Sequence, residues 1–296
     1  MRAFSERLAR GPMIVGDGAW GSLLIERGLG PGECPERWNV ARPEVIVEIA
    51  EAYLDAGAEL LTSNTFGGSP VNLRTHALEG EAGVLNRRGV ELLRSLAGGR
   101  AWVSASIGPT GAILEPYGDT PEDVVYEAFQ RQIEALAEGG ADLLCVETMT
   151  DLREASLAIR AARNVAPELP RIATMTFDAT PRGFFTIMGV DVARAVAGLA
   201  GAGADVVGSN CGNGSDAMLE IAREIVALAP VPVAIRPNAG LPERRAGALV
   251  YPESPAAMAE RAPRFVELGV RLLGGCCGTT PDHVRALRGA VPSPAP

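Results

Sequence analysis

The sequence predicts a single (β/α)8 barrel, and three observations carry that expectation. Short apolar runs alternate with longer amphipathic segments along the whole chain, eight of each. The runs are nearly continuous in apolar residues, the pattern of parallel strands buried on both faces. Eight such units in 296 residues suit a closed barrel better than an open doubly wound sheet. No G-x-G-x-x-G opens the first helix, which also argues against a dinucleotide-binding sheet.

The strands are expected at 13–18 (MIVGDG), 59–65 (ELLTSNT), 101–108 (AWVSASIG) and 142–148 (DLLCVET). They continue at 171–177 (RIATMTF), 205–211 (DVVGSNC), 231–237 (VPVAIRP) and 270–277 (VRLLGGCC). Helical periodicity fills 44–56, 81–97, 122–138, 151–165, 191–200, 215–228, 255–268 and 281–289. Ala56-Gly57-Ala58, Gly139-Gly140-Ala141, Gly201-Ala202-Gly203-Ala204 and Leu268-Gly269 stand before strands. Each reads as a helix C-cap feeding the next apolar run. Thr280-Pro281-Asp282 reads as the cap and first turn of the last helix. The barrel is expected to span 1–290, with 291–296 (VPSPAP) as a disordered tail.

Composition narrows the class. The chain is 47% hydrophobic and 21% charged with a net charge of −9, so it reads as globular material without a basic surface for nucleic acid. The N-terminal segment lacks a long apolar core, so neither a secretion signal nor a membrane anchor is expected. Five cysteines in such a chain suggest reduced thiols in the cytoplasm. All 27 basic residues are arginine, so a Schiff-base lysine is excluded.

Barrel active sites lie at the C-terminal ends of the strands. The residues standing there include Asp17, Asn64, Thr65, Ser106, Glu147, Cys211, Asn238, Cys276 and Cys277. Cys276 and Cys277 are adjacent and wrapped in glycine, in Gly274-Gly275-Cys276-Cys277-Gly278-Thr279. Neighbouring side chains on a regular strand point to opposite faces, so two thiols acting on one object need a turning backbone. Only the seventh strand separates Cys211 on the sixth from the pair on the eighth, so three thiols are expected at one mouth. Zinc is the natural guest, and three ligands with no convincing fourth suit a catalytic site with an open position. His76 and His283 belong to no H-E-x-x-H motif and read as structural or surface residues. Cys34 falls in a Pro/Gly loop, and Cys145, two residues before Glu147, reads as a barrel filler.

Three thiolates quench the metal's power to acidify water, so such a site suits binding a fourth sulfur. A bound thiol loses its proton and remains nucleophilic, which points to alkyl transfer to a thiol. Asp17 and Glu147 are candidates to hold the ammonium of an amino-acid thiol. Backbone amides of the Gly16-Asp17-Gly18-Ala19 turn could meet its carboxylate. Asn64, Thr65 and Ser106 could contact the substrate or only satisfy strand-end backbone. Asn238 could orient the substrate or lend its amide oxygen to zinc.

The motifs GDGAWGS (16–22), SNTFGG (63–68), ASIGPTG (105–111) and VETMTD (146–151) carry a resemblance, together with TMTFD (174–178), NCG (210–212), RPNAGLP (236–242) and GGCCGTTP (274–281). They cover roughly residues 10 to 290. The chain resembles the homocysteine S-methyltransferase family, most closely the homocysteine module of its cobalamin-dependent methionine synthase branch. The resemblance implies zinc on Cys211, Cys276 and Cys277, and homocysteine with its amino group near Asp17 and Glu147. Trp20 and Ser22 depart from the Met and Thr expected in that family.

Nothing in the sequence reads as a source of the methyl group. It has no second barrel for a folate and no D-x-H-x-x-G to ligate cobalamin. A methylcorrinoid carried by a separate corrinoid-binding protein is the expected donor. S-methylmethionine or betaine is the alternative, and a non-catalytic zinc-binding subunit is the alternative of another class.

Overall fold

The computed structural model describes residues 4–245 and 248–292. Its centre is a ring of eight parallel strands: β1 Ile14–Val15, β2 Leu60–Thr62, β3 Trp102–Ile107, β4 Leu143–Met149, β5 Arg171–Met175, β6 Val206–Asn210, β7 Val233–Arg236 and β8 Leu272–Leu273. They neighbour one another in the order β1-β8-β7-β6-β5-β4-β3-β2. A parallel bridge between Gly16 and Leu60 joins the two ends. The expected (β/α)8 barrel is therefore formed. Its surrounding helices are Pro43–Asp55, Ala82–Ala97, Glu122–Glu138, Leu152–Val165, Val192–Ala202, Ser215–Leu228, Pro255–Leu268 and Pro281–Ala290. All lie within two residues of their expected bounds.

Side-chain alternation divides the barrel into two layers of opposite character. Ile14, Leu60, Trp102, Leu143, Ile172 and Val206 point inward and form one buried cluster, with Cys145 filling space among them as expected. Their strand neighbours Val15, Leu61, Val103 and Leu144 point outward into the larger core against the helices. Further along the same strands the inward positions turn polar, at Thr62, Ser106, Glu147, Thr174, Asn210 and Arg236, all buried. The floor is thus apolar and the mouth polar, which fixes the end at which chemistry can occur.

A helix that the sequence reading did not single out, Phe4–Arg10, seals the floor. Phe4 and Leu8, four residues apart on one helical face, join the inward cluster. The Phe4 ring meets Trp102 edge-on, with centroids 5.6 Å apart.

Gly208 shows how tightly the ring closes. A Cβ there would lie 1.7 Å from the Ala234 carbonyl oxygen on β7. Gly208→Ala is expected to destabilise the protein by about 3 kcal/mol, since backbone rather than a flexible side chain must move. Urea denaturation followed by circular dichroism measures this.

Most strands are shorter than their apolar runs, two of them markedly. The runs 13–18 and 270–277 contribute only the two-residue β1 and β8, because the chain leaves strand geometry to build loops at the mouth. Two hairpins, Asp178–Thr180 with Gly183–Phe185 and Glu243–Arg245 with Ala248–Val250, extend the loops after β5 and β7. Val291, assigned to the tail by sequence, is buried in the core, and Arg288 donates to the carbonyls of Val291 and Pro292. The remainder of that tail, 293–296, lies outside the described residues. Among the described residues no helix is long and apolar enough to cross a membrane.

Candidate functional site

The loops after β6, β7 and β8 are stitched together by their own backbones. Cys211 N donates to Arg236 O, Asn238 N to Asn213 O, Cys276 N to Pro237 O and Ala239 N to Cys277 O, at 2.8 to 3.1 Å. Cys211 has φ 62°, and Gly212 follows with φ 73°. A left-handed non-glycine residue is a strained conformation that the surroundings must enforce. Gly278 also turns left-handed, at φ 78°, and any Cβ there would enter the Tyr251 side chain, 2.1 Å from Cγ. These turns bring the three sulfurs together: the Sγ atoms of Cys211, Cys276 and Cys277 all lie within 4.8 Å of one another.

The triad fits a metal on two counts. Cys211 Sγ and Cys277 Sγ are 3.8 Å apart. Two tetrahedral zinc–sulfur bonds of ~2.3 Å put their sulfurs ~3.8 Å apart. Asn238 Oδ1 is also buried with no hydrogen-bond partner among the described residues, an orphaned hard donor beside the sulfurs. The Asn238 side chain itself hydrogen-bonds Cys211.

The three thiols share their charge. Contacts from Cys276, then Cys277, pull the Cys211 thiol well down against its burial. The same contact with Cys211 pushes Cys276 and Cys277 up, and burial adds to this. Asn210 Nδ2 approaches Cys276 Sγ at 3.7 Å, and the Tyr251 hydroxyl hydrogen-bonds Cys277. Burial and the neighbouring Cys277 charge raise Tyr251 in turn, keeping it protonated as a donor.

Asp17 and Glu147 share one partner, Arg236, at the barrel mouth. Asp17 is fully buried and takes hydrogen bonds from Thr62 N (2.6 Å), Thr62 Oγ1 (2.8 Å), Arg236 Nη2 (2.6 Å) and Trp20 Nε1 (3.2 Å). Glu147 accepts from Ser106 Oγ at 2.5 Å, and Arg236 Nη1 lies 3.7 Å from its second oxygen. Burial raises the Glu147 carboxyl, opposed by Arg236 and Ser106. Burial works against the Arg236 charge, but Asp17 and Glu147 override it and hold the guanidinium firmly charged. Next to Glu147, Thr148 takes φ 60° and the β4–β5 register shifts. Asn210 clamps this irregularity, accepting from Thr148 N and donating to Thr148 Oγ1. Such a bulge re-aims the adjacent side chain.

Other expected site residues have hydrogen-bond partners in the scaffold. Asn64 donates to Pro35 O and Asn39 Oδ1, which ties down the loop after β1. Thr65 Oγ1 donates to Ser106 O. The Ala19 amide is taken by Thr279, at 3.0 Å to Oγ1. In the turn 16–19 the Gly18 amide alone has no partner among the described residues. Cys34 is buried against Glu36, and His283 completes a capping box with Thr280 while its Nε2 meets Glu253 O.

The sequence reading passed over Arg236, Asn210 and Tyr251. The first two could have been found by parity: each lies an even number of residues beyond an inward apolar position, Ala234 and Val206. Tyr251 follows a hairpin, and nothing local marks it.

The sequence matches the model of a family described as homocysteine S-methyltransferase over residues 14–291. The methionine synthase of Mycobacterium leprae is 35% identical over 94% of this chain, and that of Mycobacterium tuberculosis 33% identical over the same share. The chain spans about a quarter, 24%, of the length of each. Among solved structures, the metallated homocysteine methyltransferase MmuM of Escherichia coli shares the fold, with a TM-score of 0.80 and 24% identity across 96% of this chain and 98% of that one. With a family match over nearly its whole length, the chain belongs to the homocysteine S-methyltransferase family.

Proposed function

We propose that this chain transfers a methyl group to the thiol of homocysteine, giving methionine, at a zinc ion held by Cys211, Cys276 and Cys277. The observation that carries the reading is the convergence of three sulfurs at the barrel mouth beside an orphaned amide oxygen. Zinc bound there would supply a soft Lewis acid that takes the substrate thiol as its thiolate and keeps it nucleophilic near neutral pH. Asn238 Oδ1 is available as the fourth donor before the thiol arrives. Tyr251 donates to Cys277 and steadies the sulfur cluster. The carboxylate pair inside the mouth supplies the negative charge for the amino end of the substrate, with Glu147 keeping an open acceptor, and the free Gly18 amide is available to its carboxylate. With such an ion in place no protein base would be required, since a coordinated thiol would bind as thiolate. Reduced thiols in such a site fit a cytoplasmic protein.

The donor we infer is a methylcorrinoid presented by a separate protein. Exposed apolar side chains crowd the loops at this end of the barrel: Phe66, Ile113, Tyr117, Ile187, Met188 and Leu241. A rim of that kind suits a macromolecular visitor better than a small sulfonium. The methionine synthases that this chain matches extend far beyond the matched part, which agrees with a donor-bearing unit elsewhere. Zinc-loaded protein with homocysteine should form methionine from methylcobalamin and not from S-methylmethionine or betaine. Efficient turnover with either small donor and none with methylcobalamin would overturn the donor assignment.

A further inference from the structure

Arg236 closes β7 and is buried, yet its guanidinium reaches both halves of the site. Nη2 donates to Asp17 at 2.6 Å and Nη1 to Thr62 Oγ1 at 3.0 Å, with Glu147 3.7 Å away. Nε donates to Gly275 O at 3.2 Å, and Gly275 adjoins Cys276. One rigid fork thus ties the carboxylates to the loop that carries two of the sulfurs.

The two carboxylates are left in different states. Asp17 accepts four hydrogen bonds, which uses its roughly four lone-pair sites, and it is 0% exposed. Glu147 is 8% exposed, accepts one close bond and keeps acceptor capacity. Two carboxylates and one guanidinium leave a single net negative charge, enough for one ammonium.

We propose that Arg236 is a positioning residue that withdraws Asp17 from substrate contact and leaves Glu147 as the one carboxylate for an α-ammonium group, at a set distance from the sulfur triad. Arg236 therefore makes the site selective for α-amino thiols over thiols without the amino group. The inference rests on the reading that the substrate is homocysteine.

The test compares homocysteine with 4-mercaptobutyrate, which has the same thiol and carboxylate and no amino group. Calorimetric affinities and bound zinc are measured for the zinc-loaded wild type, Arg236→Lys and Arg236→Gln. Lysine keeps the charge but cannot fork to Asp17 and Gly275 together. Wild type should prefer homocysteine by about ten- to hundredfold, the weight of one charged hydrogen-bonded contact. In Arg236→Lys, which keeps the charge but not the fork, that preference should shrink to about threefold or less, with zinc content and 4-mercaptobutyrate affinity retained; Arg236→Gln, which leaves two uncompensated carboxylates, should keep or widen it. Arg236→Lys that keeps the full preference, Arg236→Gln that loses it, or either variant weakening both thiols equally would overturn the role of Arg236. A wild type that binds zinc and neither thiol would instead overturn the functional reading, and this inference with it.

Discussion

Replacing Cys277 with alanine is expected to empty the metal centre and to abolish methyl transfer. Structural zinc sites bind with about 10–16 kcal/mol over four ligands, so each thiolate carries about 3 kcal/mol or more. Its loss weakens zinc by about a hundred- to a thousandfold. Turnover at limiting zinc should fall in proportion, since a free thiol is mostly protonated at neutral pH. The variant should still fold. The bonds from Cys276 N to Pro237 O and from Ala239 N to Cys277 O are made by backbone and survive the change. Bound zinc by mass spectrometry and the thermal midpoint of the metal-free protein separate the two effects. Stoichiometric zinc with full activity in Cys277→Ala would sink the site assignment.

Glu147→Gln is expected to raise the KM for homocysteine by about ten- to hundredfold, with a smaller effect on kcat. The substitution keeps the shape and still offers an oxygen to Ser106 Oγ, so the buried network is retained. What it removes is the charge that faces the ammonium. Arg236 keeps its shorter partner, Asp17, so the guanidinium is not stranded. Because binding of the amino end does not change between ground and transition states, the loss falls on KM. Steady-state kinetics with saturating donor measure this. An unchanged KM would show that the ammonium lies elsewhere.

The helices and the sulfur triad were legible in the sequence for related reasons. Helices such as Glu122–Glu138 and Pro255–Leu268 are long enough for 3.6-residue periodicity and end markers to agree. The cysteines are few, and their places at the ends of the sixth and eighth apolar runs need only the topology to bring them together. The helix Phe4–Arg10 escaped because its signal is two apolar residues in seven. The hairpin Asp178–Thr180 escaped because its residues are exposed and carry no alternation.

The amino-acid end was only half legible. Asp17 and Glu147 stood out as carboxylates at strand ends. That one is saturated and the other open depends on Trp20 three residues on, and on Thr62 and Arg236, which come from other parts of the chain. An arginine ending an apolar strand reads locally as the start of a surface loop. Its burial makes sense only once Asp17, just after β1, and Glu147 on β4 are in place.

Closure of the floor by the helix Phe4–Arg10 dictates traffic. A barrel plugged at one end has a single doorway, so both reactants and both products must use it in turn. On the proposed reaction the small thiol has to enter first, because a protein-borne donor seated on the rim would block the way. The methylated product can leave only after that donor has lifted off. Ordered, sequential kinetics with the thiol leading are therefore built into the architecture.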